Sequence, residues 1–342
     1  MRRGSNRNAR LPEMGNNREL SLLRQIADAL GFGESAHAAN VGLDHADFSS
    51  IHQIEKLIAR SQPLSRGNRN GLFGSQTREI ILPSGRRLVS NPLADIANLP
   101  PADYFFLHYA FLTKGHVADR PLDDYVRLNR EIAETTEDAA RRVGAKGFFL
   151  PSSGAVYGPG RVLRGSLQDN PYGFLKLKDE ERFAAMAEQL GCAACLIRVF
   201  NLAGPCMNNL DGYALSSVIV SVLRGEPVRL RADKPVLRSY VHIIDLVAFA
   251  LLEMMDGART PILDTAGEVV VEVGLLARQI TSLMGRPDYP IERPPLTGTE
   301  DRYVGDGTAF RARAQAQGLG LRGLEDQIRD TVADLTIRAS KS

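Results

Sequence analysis

From about Asp103 onward the chain alternates short apolar runs with stretches of helical spacing. Tyr104-Phe-Phe-Leu107 is an unbroken apolar run of the kind that forms a strand buried on both faces. Asn129 to Val143 repeats apolar residues at helical intervals (Ile132, Ala139, Ala140, Val143) and stops at Gly144, a natural helix end. Gly147-Phe-Phe-Leu150 predicts the next strand, which runs into Ser152-Ser153. Tyr172 to Leu190 predicts a helix ending at Gly191, and Leu196 to Phe200 a further buried strand. Strand–helix–strand alternation of this kind predicts an α/β fold with a doubly wound parallel sheet. Ligands of such sheets lie at the carboxyl ends of the strands, where Ser153 and Asn201 both fall.

The last third reads differently. Ser216 to Arg224 has helical spacing, Val228-Arg-Leu-Arg231 is strand-like, and Leu246 to Met255 is a short apolar helix. Val269 to Val273 predicts a strand, Gly274 to Met284 a helix, and Leu324 to Ile337 a closing amphipathic helix. These pieces predict a smaller C-terminal lobe over the active edge of the sheet. Before residue 86 the pattern is weaker: Leu20 to Leu30 is helix-like, and no apolar strand precedes it.

Composition narrows the class. The chain has 342 residues, 44% hydrophobic and 24% charged, with a net charge of +2, so a large buried core is expected and bulk binding of nucleic acid is not. No apolar run approaches the ~20 residues of a membrane span, and no signal-like segment opens the sequence, which leads to an expected cytoplasmic location without a membrane partner. The first 18 residues hold five arginines and one acid, the composition of a disordered basic arm. Three cysteines do not make a disulfide framework. Cys192 and Cys195 are spaced as C-x-x-C, but no second pair or nearby histidine completes a metal site, so they read as buried residues at a strand entrance and no metal is expected.

The chemistry is concentrated in Ser152-Ser153-Gly-Ala-Val-Tyr-Gly158 and Tyr172-Gly-Phe-Leu-Lys176. Residues i and i+4 share a helix face, so Lys176 stands beside Tyr172. A free tyrosine, with a pKa near ~10, is a poor base at neutral pH, and an adjacent lysine cation favours its phenolate. With a serine hydrogen-bonding the same oxygen, the trio suits proton transfer at a sugar or alcohol hydroxyl.

From about residue 86 the chain resembles the extended short-chain dehydrogenase/reductase superfamily, in particular its NAD-dependent epimerase/dehydratase group acting on nucleotide sugars. Besides the two segments above, Phe106-Leu-His-Tyr-Ala110 resembles the family strand ending in His-x-Ala-Ala. Asn129 matches a recurrent helix-start asparagine, and Arg198-Val-Phe-Asn-Leu-Ala-Gly-Pro205 resembles Arg-x-Phe-Asn-x-x-Gly-Pro. Arg238-Ser-Tyr-Val-His242-Ile-Ile-Asp245 and Asp301-Arg-Tyr-Val-Gly-Asp306 resemble two later blocks. The resemblance implies a Rossmann-like cofactor domain at 19–205 with a divergent N-terminal part. A mainly substrate-binding lobe would follow at 206–342, with helix 246–255 packing back on the sheet. It further implies NAD or NADP as cofactor, a nucleotide-diphosphate sugar as substrate, and a homodimer through the helices at 129–143 and 172–190.

By the same carry-over, Tyr172 is the acid/base, Lys176 holds the nicotinamide ribose and tunes Tyr172, and Ser153 binds the reacting oxygen. His108 and Ala110 line the cofactor, with His108 shaping the strand end. Asn201 holds the nucleotide sugar, Arg238 and Arg302 its diphosphate, and His242 is structural. Two departures matter. The family opens with a strand and a Gly-x-x-Gly-x-x-Gly turn at the cofactor pyrophosphate. Here Gly67-Asn-Arg-Asn-Gly71-Leu-Phe-Gly74-Ser75 is the nearest echo and also reads as a surface loop, while Leu88 to Pro92 takes the place of the strand that carries an adenine-contacting acid. The dehydratases and decarboxylases of the family place an acid directly after the catalytic Ser/Thr, where this chain has Gly154-Ala155. Epimerisation through transient oxidation at C4 is therefore the expected reaction. A 4-keto reductase or 4,6-dehydratase, or a cofactor-poor member of the fold that binds or regulates, are the alternatives.

Overall fold

The first strand of the sheet is one that hydrophobic patterning does not reveal. In the computed structural model, β1 (Ala36–Val41) lies parallel between β2 (Gly71–Gly74) and β5 (Asp103–His108), pairing Ala39 with both Gly71 and Phe106. The structure describes residues 36–41, 71–74, 77–81 and 87–340, with 102, 159–160, 164–165, 206 and 208–209 excepted. The expected basic arm and the Leu20–Leu30 helix lie outside the described residues.

Beyond β2 come β4 (Arg87–Pro92) and, antiparallel at the edge, β3 (Arg78–Ile81). Beyond β5 come β6 (Gly147–Ser153), β7 (Ala193–Val199) and β12 (Leu263–Asp264), all parallel. The spatial order is β12-β7-β6-β5-β1-β2-β4-β3. Strand order therefore reverses at the β1/β5 boundary, and a crevice opens at the carboxyl ends of these strands.

Two expectations for the N-terminal part are corrected. Gly71 and Gly74 belong to the second strand and not to a phosphate-binding turn or a surface loop. Leu88 to Pro92 is the strand beyond it, not the second strand. Because the hairpin β3–β4 and a single 3-10 turn at Leu93–Asn98 replace longer crossovers, the short distance from Ser75 to His108 suffices.

Alternate residues of the central strands face opposite layers, as period-two side-chain geometry requires. Phe106, Phe148, Leu150 and Leu196 pack under α1 (Leu122–Val143) and α2 (Pro171–Leu190), against Ala133, Phe183 and Met186. Leu107, Phe149, Cys195 and Ile197 face α4 (Ile243–Met255) through Leu246, Phe249 and Ala250. The 246–255 helix thus packs back on the sheet. α1 starts seven residues earlier than its spacing suggested, so Asn129 is a buried mid-helix residue and not a helix-start one. Its side chain accepts from Leu112 N (2.8 Å) and donates to Tyr125 O (3.1 Å), anchoring the segment that leaves β5. Gly144 and Gly191 close the two helices in the left-handed conformation (φ 66° and 64°) that glycine adopts without steric cost.

A third core builds the lobe. α3 (Ala214–Arg224), α5 (Val273–Leu283) and α7 (Leu324–Ala339) bury Leu215, Ile219, Leu276, Ile280, Ile328 and Leu335 together. A small sheet joins β10 (Val236–Arg238) to β13 (Val271–Glu272) and β15 (Asp301–Tyr303).

Candidate active site

Ser153 is the last residue of β6, and Tyr172 is the second residue of α2. Between them the chain makes a 3-10 turn, Gly154–Val156, in which Ala155 N donates to Ser153 Oγ (3.2 Å). α2 then begins with signals that are local: Asn170 caps it by accepting from Gly173 N (3.0 Å), and Pro171 occupies the first turn, where its missing N–H costs nothing. The result brings the Ser153 hydroxyl near two tyrosines, Tyr172 and Tyr303, and its polarity works to lower the pKa of each.

Burial dominates the electrostatics. It pushes the Tyr172 hydroxyl up to about 12, with the Ser153 hydrogen bond acting the other way. It pushes Lys176 down to about 8 against the opposing pull of Asp179 and Glu180. Lys176 does share the Tyr172 face of the helix, but its Nζ donates to Pro151 O (3.1 Å) and sits 4.0 Å over the Phe111 ring. The Tyr172 ring meets the same Phe111 edge-on at 5.6 Å. The lowering that a neighbouring cation was expected to impose on Tyr172 is not found: desolvation raises it, and Ser153 is what opposes the rise. Asp179, one turn after Lys176, is itself pushed up to about 7 by burial, with Lys176 opposing.

Other expected residues fall in different places. Asn201 donates through Nδ2 to Ser239 O (3.1 Å) and Tyr303 O (3.2 Å), so it stitches β7 to the lobe beside Tyr303. Arg238 lies 5.8 Å from the Tyr303 ring and is held by Asp301, through Oδ2 (3.2 Å) and the backbone oxygen (3.2 Å). Arg302 is not brought to this cluster. The β10–β15 register pairs it with Leu237 while Tyr303 pairs with Arg238, so Arg302 is exposed on the opposite face of the ladder. His108 is buried between Phe148 and Phe183, its ring 5.0 Å from Phe183, and burial pushes it down to about 3. A neutral ring inside the helix-side core shapes the strand end and does not line the crevice, and Ala110 is buried next to it in the same core. His242 caps α4 by accepting from Ile244 N (3.2 Å), the structural role expected of it. Cys192 and Cys195 are buried free thiols.

Two groups escaped the sequence reading. Tyr303 was passed over for its neighbour Arg302, although strict alternation along a strand assigns them opposite faces. Glu180 is 1% exposed and accepts from Ser152 Oγ (2.5 Å) and from Arg198 through Nε (2.9 Å) and Nη2 (2.6 Å). Arg198 Nη1 also donates to Tyr157 Oη (2.6 Å), which bonds Asp264 (3.0 Å), which pairs with Arg161. This chain, buried at Glu180 and Arg198 and reaching the surface at Arg161, braces the strand ends beside Ser153. Among the described residues no group of His, Cys, Asp and Glu is arranged to hold a metal.

Behind Ser153 the wall is apolar. A Cβ built on Gly154 would lie 2.5 Å from the Phe200 ring, whose other side packs on Tyr303 at 4.9 Å between centroids. No side chain fits at Gly154 without moving Phe200.

A doubly wound parallel sheet with Ser153 and Tyr172 brought together at its carboxyl edge is the arrangement of the short-chain dehydrogenase/reductase fold. Residues 100–262 match the NAD dependent epimerase/dehydratase family. UDP-glucuronic acid decarboxylase 6 of Arabidopsis thaliana is 31% identical over 175 residues, which are 48% of this chain and 50% of that protein. The chain thus spans about half the length of that relative. UDP-glucose 4-epimerase of Corynebacterium glutamicum is 25% identical over 290 residues, 77% of this chain and 84% of that protein. The solved UDP-N-acetylglucosamine 4-epimerase of Methanobrevibacter ruminantium superposes with a TM-score of 0.70 at 18% identity, covering 89% of this chain and 99% of that one, a likeness of fold.

Proposed function

We propose that this chain epimerises a nucleotide-diphosphate sugar at C4, with NAD or NADP as the hydride carrier. The observation that carries the reading is the Gly154–Phe200 contact. Elimination of water needs a proton donor beside the catalytic Ser/Thr, and here that position is a glycine closed off by an aromatic ring. Transient oxidation and re-reduction at C4 need no such donor. Tyr172 would take and return the proton of the C4 hydroxyl, while Ser153 holds that oxygen. Asn201 and Arg238 would face the nucleotide diphosphate, where a guanidinium fork suits a phosphate dianion. Arg302, exposed on the other face, is left out of that assignment.

The nicotinamide end of a dinucleotide fits the residues present: Lys176 is a buried cation bonded to Pro151 O, just before Ser152 and Ser153 on the same strand, with donor capacity beyond that bond. Bound there, the nicotinamide would supply the hydride acceptor and donor. At the pyrophosphate end the chain departs from the family. The residues after β1 read Gly42-Leu-Asp-His45-Ala-Asp-Phe48, with histidine and phenylalanine at the second and third of the three glycine positions. That departure favours, as the second reading, a member of the fold that binds a nucleotide sugar without a dinucleotide.

Mass spectrometry of small molecules released on denaturation, with NAD⁺, NADH, NADP⁺ and NADPH titrations and a panel of UDP- and dTDP-sugars, separates the two. A bound dinucleotide and interconversion of C4 epimers are expected. No dinucleotide binding at millimolar concentration would sink the epimerase reading and leave the binding protein. A homodimer through α1 and α2 is part of the proposal: Ala184 and Ala185 are exposed for close packing. The flanking residues Arg127, Glu131, Lys178 and Glu181 make that face charged, so light scattering at several salt concentrations is its test. Among the described residues no helix is long and apolar enough to cross a membrane.

A further inference from the structure

We propose that Asn170 is a positioning residue that sets the distance between Ser153 and Tyr172, an inference that rests on Tyr172 being the acid/base. The two catalytic groups sit on different elements, and a single side chain links them. Asn170 Oδ1 accepts from Gly173 N (3.0 Å) at the start of α2. Its Nδ2 donates to Ala155 O (2.7 Å), in the turn that follows Ser153. Ala155 N in turn donates to Ser153 Oγ (3.2 Å). A planar amide thus bridges Ala155, the residue whose own N–H donates to the serine, and the helix turn that carries the tyrosine.

Residue chemistry explains why asparagine stands here. Serine, threonine and aspartate accept from a helix N–H equally well, but an ionised aspartate has no N–H or O–H with which to meet Ala155 O. Gly173 belongs to the same device: a Cβ there would collide with both Ala155 O and Asn170 Nδ2. The helix end is therefore pressed onto the turn, and Tyr172 lies between the two residues that make the contact. A misplacement of about 1 Å between reacting groups costs on the order of 10²-fold in rate.

Asn170→Asp separates positioning from capping, because it keeps the acceptor for Gly173 N and removes the donor to Ala155 O. Its expected signature is a Tm close to the parent's, KM and NADH affinity within about twofold, and kcat lowered about 10- to 100-fold. Gly173→Ala, which forces the same two surfaces apart, should give the same split between kcat and KM. Hydrogen exchange read by mass spectrometry should show peptide 154–158 exchanging faster in Asn170→Asp while 171–175 stays protected. An Asn170→Asp enzyme with the parent's kcat, or with unchanged exchange at 154–158, overturns the proposal. The exchange readout needs no substrate: a chain that converts no sugar nucleotide but shows this local loosening sinks the epimerase reading and leaves Asn170 as the link.

Discussion

Replacing Glu180 by leucine should be among the most damaging single changes outside Ser153, Tyr172 and Lys176. The carboxylate is 1% exposed and takes hydrogen bonds from Ser152 and from both Nε and Nη2 of Arg198, itself 8% exposed. Leucine fills similar volume but leaves the Arg198 cation inside the protein with Tyr157 Oη as its remaining partner, and strands the Ser152 hydroxyl. Removing one partner of a buried ion pair costs about 3–5 kcal/mol. At roughly 2 °C per kcal/mol for a chain of this size, the melting midpoint should fall by about 6–10 °C. The double variant Glu180→Leu/Arg198→Met removes both charges, and apolar replacement of a whole buried pair is commonly neutral or stabilising. Urea unfolding of the parent, both single variants and the double variant closes a thermodynamic cycle. A double variant as unstable as Glu180→Leu, or a single variant within about 1 kcal/mol of the parent, would refute the reasoning: the cost would then lie in packing and not in the stranded charge.

Four further outcomes are expected. Tyr172→Phe should abolish turnover while leaving the fold, read by circular dichroism, intact. Turnover should fall as the pH rises through about 8, where Lys176 loses its proton, and Lys176→Met should remove that limb of the pH–rate profile along with most of the rate. Asp179 has a folded-state pKa raised to about 7, so its protonation favours the fold below its ordinary carboxylate range and that stability is lost as the pH rises through about 7. Asp179→Asn should therefore be near neutral at about pH 3, below the ordinary carboxylate range, and increasingly stabilising up to pH 8, by at most about 4 kcal/mol at 1.36 kcal/mol per pKa unit, as denaturant melts at the two pH values would show. Gly154→Ala should cost about 1–3 kcal/mol through overpacking on Phe200, and a melting midpoint equal to the parent's would mean that Phe200 moves freely and that the wall behind Ser153 is not rigid.

The stretch from Asp103 to Val199 was legible because its information is local. Runs such as Gly147-Phe-Phe-Leu150 exceed what any exposed strand carries, and Gly144 and Gly191 mark helix ends through backbone freedom that needs no tertiary partner. The pairing of Tyr172 with Lys176 on one helix face follows from 3.6 residues per turn. Strand β1 was not legible, because Ala-His-Ala-Ala-Asn-Val has neither an apolar run nor strict alternation. Its place is decided by backbone pairing with Asp103–His108, more than 60 residues away. Without that strand, Gly71 and Gly74 pass for a phosphate turn, and with it they fall inside the sheet.

By itself, then, the sequence determined a doubly wound sheet, Lys176 on the Tyr172 face of one helix and the missing acid after Ser153. Periodicity, helix geometry and residue identity are properties of neighbours along the chain. Tertiary structure decided that Tyr303 and not Arg302 reaches Ser153, that Phe200 closes the space at Gly154, and that Tyr172 is raised and not lowered in pKa. Each of those depends on which distant segment packs where, and on how much water that packing removes.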